Sequence, residues 1–192
     1  MMSAQPANYF QPGKVVRRDV LVAMLRAALL SGDLRFARQA ALGWLAAFPG
    51  DIEVTLLQAQ VIIAAGRPAQ AISALETTCQ KDPFSVDAYR VLARACQFDR
   101  PARYAYALTN LFILDGRVPG QARLEPWGMP LRQAYLALEA GEQLEAESRI
   151  QEALNHDPDL LLAAVLQLLI GRGRLDAQAL YYQADLYHNR WP

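Results

Sequence analysis

The sequence predicts an all-α protein, a solenoid of stacked helix-turn-helix repeats, and two features of the chain carry this prediction. The first is a repeat: Gly32 recurs as Gly66 and Pro49 recurs as Pro83, each after 34 residues. That period is the length of one helix-turn-helix repeat. The second is the spacing of apolar residues, which follows one face of a helix between successive glycine and proline breaks.

Turn-forming residues set the boundaries of the first two repeats. Residues 16–30 form the first expected helix, after which Gly32 supplies the left-handed backbone of a tight turn. The second helix covers 34–48 and ends because Pro49 has no N–H to donate. The next two expected helices are 52–65 and 68–80, and the second opens on Pro68, which suits a first turn.

The later repeats follow the same signals with one interruption. The remaining expected helices are 86–98, 101–114, 131–140, 144–156, 159–169 and 176–189. Residues 115–130 contain several glycines and prolines, so we expect an irregular insertion there without a helix, in which Trp127 fills the gap. The expected hairpins are therefore 16–49, 52–83, 86–115, 127–158 and 159–192, after a flexible arm at 1–15.

The residues at matching positions of the first three repeats follow one spacing: a leading position, an adjacent pair three residues on, a further position three residues after the pair, and two positions four apart in the second helix. They are Leu21, Met24-Leu25, Ala28, Ala37 and Ala41; Thr55, Gln58-Ala59, Ile62, Ala71 and Leu75; and Tyr89, Leu92-Ala93, Cys96, Ala105 and Thr109. This pattern resembles the tetratricopeptide repeat family, with divergent repeats, since Thr55 and Gln58 depart from it.

The resemblance implies a right-handed α-solenoid whose first helices line a concave groove. It also implies that small residues lie where two helices approach most closely. These residues are Ala37, Ala59, Ala71, Ala93 and Ala105. The implied function is a non-catalytic scaffold that binds a peptide or a partner domain in the groove.

Composition excludes several other classes of protein. The 192 residues carry 19 basic and 19 acidic side chains, a balance that argues against nucleic-acid binding. Residues 1–19 lack the apolar stretch of a signal peptide, and the most apolar run, 160–170, is too short to span a bilayer. We therefore expect a cytoplasmic protein without a membrane partner. Cys79 and Cys96 fall on apolar helical positions, which predicts buried free thiols.

The sequence offers no catalytic, cofactor or metal site. His156 and His188 lie near predicted helix ends, where an imidazole commonly meets backbone carbonyls. No group of cysteines and histidines has metal-ligand spacing. The acidic residues around 139–147 are expected to be a solvated surface. We therefore expect that the chain is not an enzyme.

The expected binding residues are those of the first helices that lie beside the packing stripe. They are Arg26, Leu56, Gln60, Ile63, Arg90, Arg94, Gln97, Leu131 and Tyr135. They predict an apolar groove with a cationic centre, suited to a protein or peptide ligand that carries a carboxylate. The last predicted helix is apolar and is not followed by a polar capping helix, so we also expect self-association through it. The alternative expectation is that the chain is the regulatory or docking N-terminal segment of a larger enzyme or transcription regulator.

Overall fold

The structure is a computed structural model that describes residues 16–117, 123–172 and 184–185. Its helices follow one another as α1 (Arg18–Ser31), α2 (Leu34–Ala47), α3 (Ile52–Ala64), α4 (Ile72–Lys81), α5 (Val86–Cys96), α6 (Pro101–Asp115), α7 (Gly128–Glu139), α8 (Gln143–His156) and α9 (Leu161–Gly171). No strand occurs in these described ranges. The predicted all-α fold of helical hairpins is confirmed.

The chain divides into two compact units, Met1–Ala74 and Leu75–Pro192. In unit 1, α2 packs on both α1 and α3, and α1 also contacts α3. The core is built from Leu21, Leu25, Ala37, Ala41 and Val54, all at most 2% exposed. The small side chains of α2 allow the neighbouring helices to approach closely.

Capping residues explain where the helices of unit 1 begin and end. Gly32 ends α1 with φ 79°, and Gly66 follows α3 with φ 74°. Side chains with a Cβ rarely adopt this backbone region, so glycine is the residue that permits both turns. Asp33 then accepts a hydrogen bond from the Phe36 backbone N–H at 3.1 Å and opens α2.

In unit 2 each helix from α5 to α9 packs on the next, and α7 also contacts α9. Tyr89 and Leu92 of α5 are buried, as is Leu166 of α9. The α7 and α8 helices meet through small and branched side chains, among them Ala134 and Ile150, both fully buried. This alternation of small and larger residues matches the expected close packing.

Of the five alanines expected at close helix contacts, Ala37, Ala59, Ala71 and Ala93 are at most 5% exposed. Ala105 is only half-buried. Its backbone carbonyl accepts a hydrogen bond from the Thr109 hydroxyl at 2.8 Å. Further along α6, Ala107 is the fully buried alanine.

The insertion differs from the prediction because a helix starts inside it. α7 begins at Gly128, three residues before the expected start, and Pro130 lies in its first turn. A proline is tolerated there because the first N–H groups of a helix have no intrahelical partner. Trp127 is 4% exposed and belongs to the core of unit 2, so the predicted filling of the gap is confirmed.

Other boundaries differ from the prediction as well. The helix expected at 68–80 consists of a short 3-10 turn at Pro68–Gln70 followed by α4. The helix expected at 159–169 is α9, two residues later. The expected arm at 1–15 lies outside the described residues. So does the expected helix at 176–189, apart from two helical residues, Ala184 and Asp185.

Candidate functional site

In unit 1, the predicted binding residues of α1 and α3 include one charged side chain, and it is already paired. Arg26 is exposed, but its guanidinium pairs with the Glu53 carboxylate at 2.8 Å. Gln60 and Ile63 are half-buried. Leu56 is 8% exposed, so it belongs to the protein's own packing and offers a partner almost no surface. Its predicted place in the groove is therefore corrected.

In unit 2, α5 presents its predicted binding residues on one exposed row. Arg90, Arg94 and Gln97 are all exposed and follow one another at helical spacing. The opposite face is closed, because Tyr89 and Cys96 have no exposed area. The row is therefore held in place by a packed helix.

The two arginines of this row differ in their ion pairs. Arg90 contacts the Asp87 carboxylate on its own helix, and its Nη2 lies 3.9 Å from Asp115 Oδ2 at the end of α6. Arg94 has no carboxylate within ion-pair distance among the described residues. Of the two predicted cations, Arg94 is thus the one available to an anionic ligand.

On α7 the structure separates the two predicted residues. Leu131 has no exposed area and lies in the core of unit 2, so it is not a contact residue, which corrects the prediction. Tyr135 is half-buried, with its ring 6.4 Å from the ring of Phe84. Desolvation by burial, followed by the hydrogen bond with Glu139, raises the pKa of the Tyr135 hydroxyl. It therefore stays protonated at neutral pH.

Arg132 is a residue of this region that the sequence analysis missed. Its guanidinium donates a hydrogen bond to the Ile113 carbonyl in the last turn of α6, where a cation also meets the negative end of the helix dipole. The guanidinium carbon lies 5.8 Å from the centre of the Tyr135 ring. The only sequence signal is the i, i+3 spacing to Tyr135, which does not reveal the contact with α6.

We call the exposed row of α5, together with two half-buried residues of α7, the arginine surface: Arg90, Arg94, Gln97, Arg132 and Tyr135. Both helices reach the end of α6, because Arg90 lies 3.9 Å from Asp115 and Arg132 binds the Ile113 carbonyl. The surface combines guanidinium groups with an aromatic ring. It has the donors to bind a carboxylate and the apolar area to contact a side chain beside it.

Groups with catalytic potential are scarce in the described part of the chain. Cys79 and Cys96 are buried and free. Burial, together with Asp82, raises the pKa of the Cys79 thiol to about 12, and burial also raises the pKa of the Cys96 thiol. A protonated thiol is a poor nucleophile, so both cysteines fit a packing role.

The remaining candidates are the two histidines and any cluster of metal-ligand side chains. His156 is the last residue of α8 and is exposed, while His188 lies outside the described residues. Within the described ranges, no three side chains of the metal-binding types come together to hold an ion. None of the helices in these ranges has both the length and the apolar character needed to cross a membrane.

Comparison with known proteins gives a distant structural likeness. No family model matches the chain, and no curated protein matches it. Among solved structures, a crystal structure of the MamA protein aligns with 90% of this chain and 88% of its own. The TM-score is 0.46 and the sequence identity is 20%.

Proposed function

We propose that this chain is a protein-interaction module, a divergent tetratricopeptide-like array that binds a segment of a partner protein. The observation that carries the proposal is the α5 part of the arginine surface, where Arg90, Arg94 and Gln97 form an exposed row on a helix whose other face is buried. A surface on a packed helix loses little conformational entropy when a ligand binds, because its backbone is already ordered.

The ligand is a segment with apolar side chains and at least one carboxylate. Arg94 supplies the unpaired guanidinium, whose planar group of donors matches the two oxygens of a carboxylate. Arg90 contributes by giving up its 3.9 Å contact with Asp115 and binding the carboxylate of the ligand instead. The Tyr135 ring contacts an apolar side chain next to the carboxylate.

Unit 1 supplies a less charged contact of its own. Gln60 and Ile63 are half-buried on α3 and offer a polar and an apolar group to a ligand. Arg26 is already paired with Glu53 and acts mainly by packing its aliphatic stem. We therefore assign the charge recognition to the arginine surface.

The proposal is tested by capture of partners from the native host with the full chain as bait. Three baits are compared: the wild type, the double variant Arg90→Ala with Arg94→Ala, and the control Arg172→Ala, which removes an exposed arginine after α9. A protein that is retained by the wild type and the control but lost from the double variant supports the proposal. Equal recovery on all three baits contradicts it.

A further inference from the structure

A second candidate site lies in unit 1 and shares no residue with the contacts of the proposed function. A cavity of about 520 Å³ opens between α2 and the end of α3. Its lining residues are Leu34, Arg35, Arg38, Gln39, Leu42, Val61, Ile62, Ala65 and Arg67. We call it the α2–α3 pocket. Its volume is that of sites that hold a small ligand or a few side chains of a peptide.

The charge of the pocket has one sign. Arg35 and Arg38 lie one helical turn apart on α2, and Arg67 enters from the turn after α3. All three are exposed, and the lining contains no carboxylate. Within the described ranges, none of them lies in an ion pair with an acidic side chain. Three guanidinium groups around one cavity favour an anionic ligand.

The remainder of the lining is aliphatic. Val61 is almost completely buried, Leu34 and Ile62 are half-buried, and Leu42 is 46% exposed. An aliphatic side chain placed there would bury apolar area on both partners, which is favourable in water. A free phosphate would leave these side chains exposed to water. The ligand therefore has to be apolar in one part and anionic in another.

From these two properties we infer that the α2–α3 pocket binds an acidic peptide segment of a partner protein, with one aliphatic side chain in the cavity and carboxylates on either side. The arginines bind the carboxylates through paired hydrogen bonds. A peptide fits better than a nucleic acid, because single strands need aromatic side chains on which bases stack. The pocket has no aromatic residue in its lining.

The inference is tested with a library of random 12-residue peptides displayed on phage, selected on the full chain. Enriched peptides are then synthesised, and their affinity is measured by fluorescence anisotropy. We expect peptides that combine aspartate or glutamate with an aliphatic residue. We also expect their affinity to fall about tenfold or more in Arg35→Gln with Arg38→Gln, and to fall in Leu42→Ser.

Control variants separate this site from the arginine surface. Arg172→Gln should leave the affinity of these peptides unchanged, whereas a loss in Arg94→Gln would assign the peptides to the arginine surface. If Arg94→Gln weakens binding and the Arg35 and Arg38 changes do not, the inference fails while the proposed function stands. The inference also fails if no peptide is enriched, if the enriched peptides are not acidic, or if single-stranded nucleic acid binds through Arg35 and Arg38 instead. If sedimentation shows a dimer that Arg38→Gln breaks, and no peptide binds, then the pocket binds a second copy of the chain. The inference also fails in that case.

Discussion

At the scale of single residues, Asp51 joins the three helices of unit 1. Its carboxylate accepts hydrogen bonds from Arg18 at 2.8 Å, from the Trp44 indole N–H at 2.9 Å and from the Val54 backbone N–H at 3.3 Å. These donors belong to α1, α2 and α3, and the last contact caps α3. The side chain is 8% exposed. A single carboxylate thus fixes the relative positions of three helices.

The pH dependence of stability should reveal this role. The hydrogen bond from Arg18, with those from Trp44 and Val54, lowers the pKa of Asp51 below its ordinary value of 3.8. The ionised carboxylate therefore contributes its full stabilisation above pH 3.8. This contribution is lost as the pH falls through the lower pKa that Asp51 has in the folded state. We expect Asp51→Asn to be less stable than the wild type at pH 7, and the difference between their urea midpoints to shrink towards pH 3. A difference that is constant from pH 7 to pH 3 would contradict this role.

Two buried hydroxyl groups, those of Tyr89 and Thr109, differ in their hydrogen bonds. Tyr89 is fully buried, and within the described ranges its hydroxyl makes no hydrogen bond of normal geometry, although burial and then the nearby Tyr106 side chain raise the pKa of that hydroxyl. The Thr109 hydroxyl instead donates to the Ala105 carbonyl and accepts from the Glu125 N–H at 2.9 Å. We expect Tyr89→Phe to leave the free energy of unfolding unchanged or to raise it, and Thr109→Val to lower it by about 1–2 kcal/mol. Urea denaturation followed by circular dichroism measures both, and equal losses would contradict the assignment.

At the scale of elements, the region before α7 is held by contacts with α6. The Thr109 hydroxyl holds the Glu125 backbone, the Trp127 ring lies 5.8 Å from the Tyr106 ring, and Arg132 binds the end of α6. A Cβ added to Gly128 would lie 2.5 Å from the Thr109 methyl carbon. The start of α7 therefore requires glycine because α6 is so close.

Gly128→Ala tests this contact. The added methyl group should lower the free energy of unfolding by about 1–3 kcal/mol, because the side chains around it are already packed. Thr109→Ser removes the opposing methyl group and keeps the hydroxyl. In the Thr109→Ser background the cost of Gly128→Ala should therefore become smaller. If the cost is the same in both backgrounds, the close approach of Gly128 to Thr109 does not determine where α7 starts.

Comparison of these elements with the sequence shows which features were predictable. The starts of α2, α3, α5 and α6 agree with the prediction because each follows a local signal, such as the capping Asp33 or the first-turn Pro101. The start of α7 does not, because it depends on contacts with α6, such as the hydrogen bond between Glu125 and Thr109, which are 16 positions apart. Local patterns do not contain such contacts.

The candidate site was predicted less completely for a similar reason. Helical spacing placed Arg90, Arg94 and Gln97 on one row, and all three are exposed. It did not reveal that Leu131 is enclosed by the core of unit 2 or that Arg26 pairs with Glu53, 27 positions away. Whether a helix face is covered depends on the neighbouring helices, which sequence spacing alone does not specify.

At the scale of the whole molecule, the two compact units are each proposed to bind through arginines, but with different apolar side chains beside them. Unit 2 has the arginine surface, where Arg94 stands beside a partly paired Arg90. Unit 1 has the α2–α3 pocket, where three arginines line an aliphatic cavity. The chain has no net charge, so in the proposed function local clusters of arginine, and not the overall charge, select the acidic partner.

The central claim, that the arginine surface binds a carboxylate-bearing partner, is tested most directly by calorimetric titration of the captured partner into the purified chain. We predict about tenfold or greater loss of affinity for Arg90→Ala with Arg94→Ala, and no loss for Arg172→Ala. Raising the salt concentration should weaken binding to the wild type modestly, since one or two charges take part. Unchanged affinity of the double variant for the partner would contradict the claim.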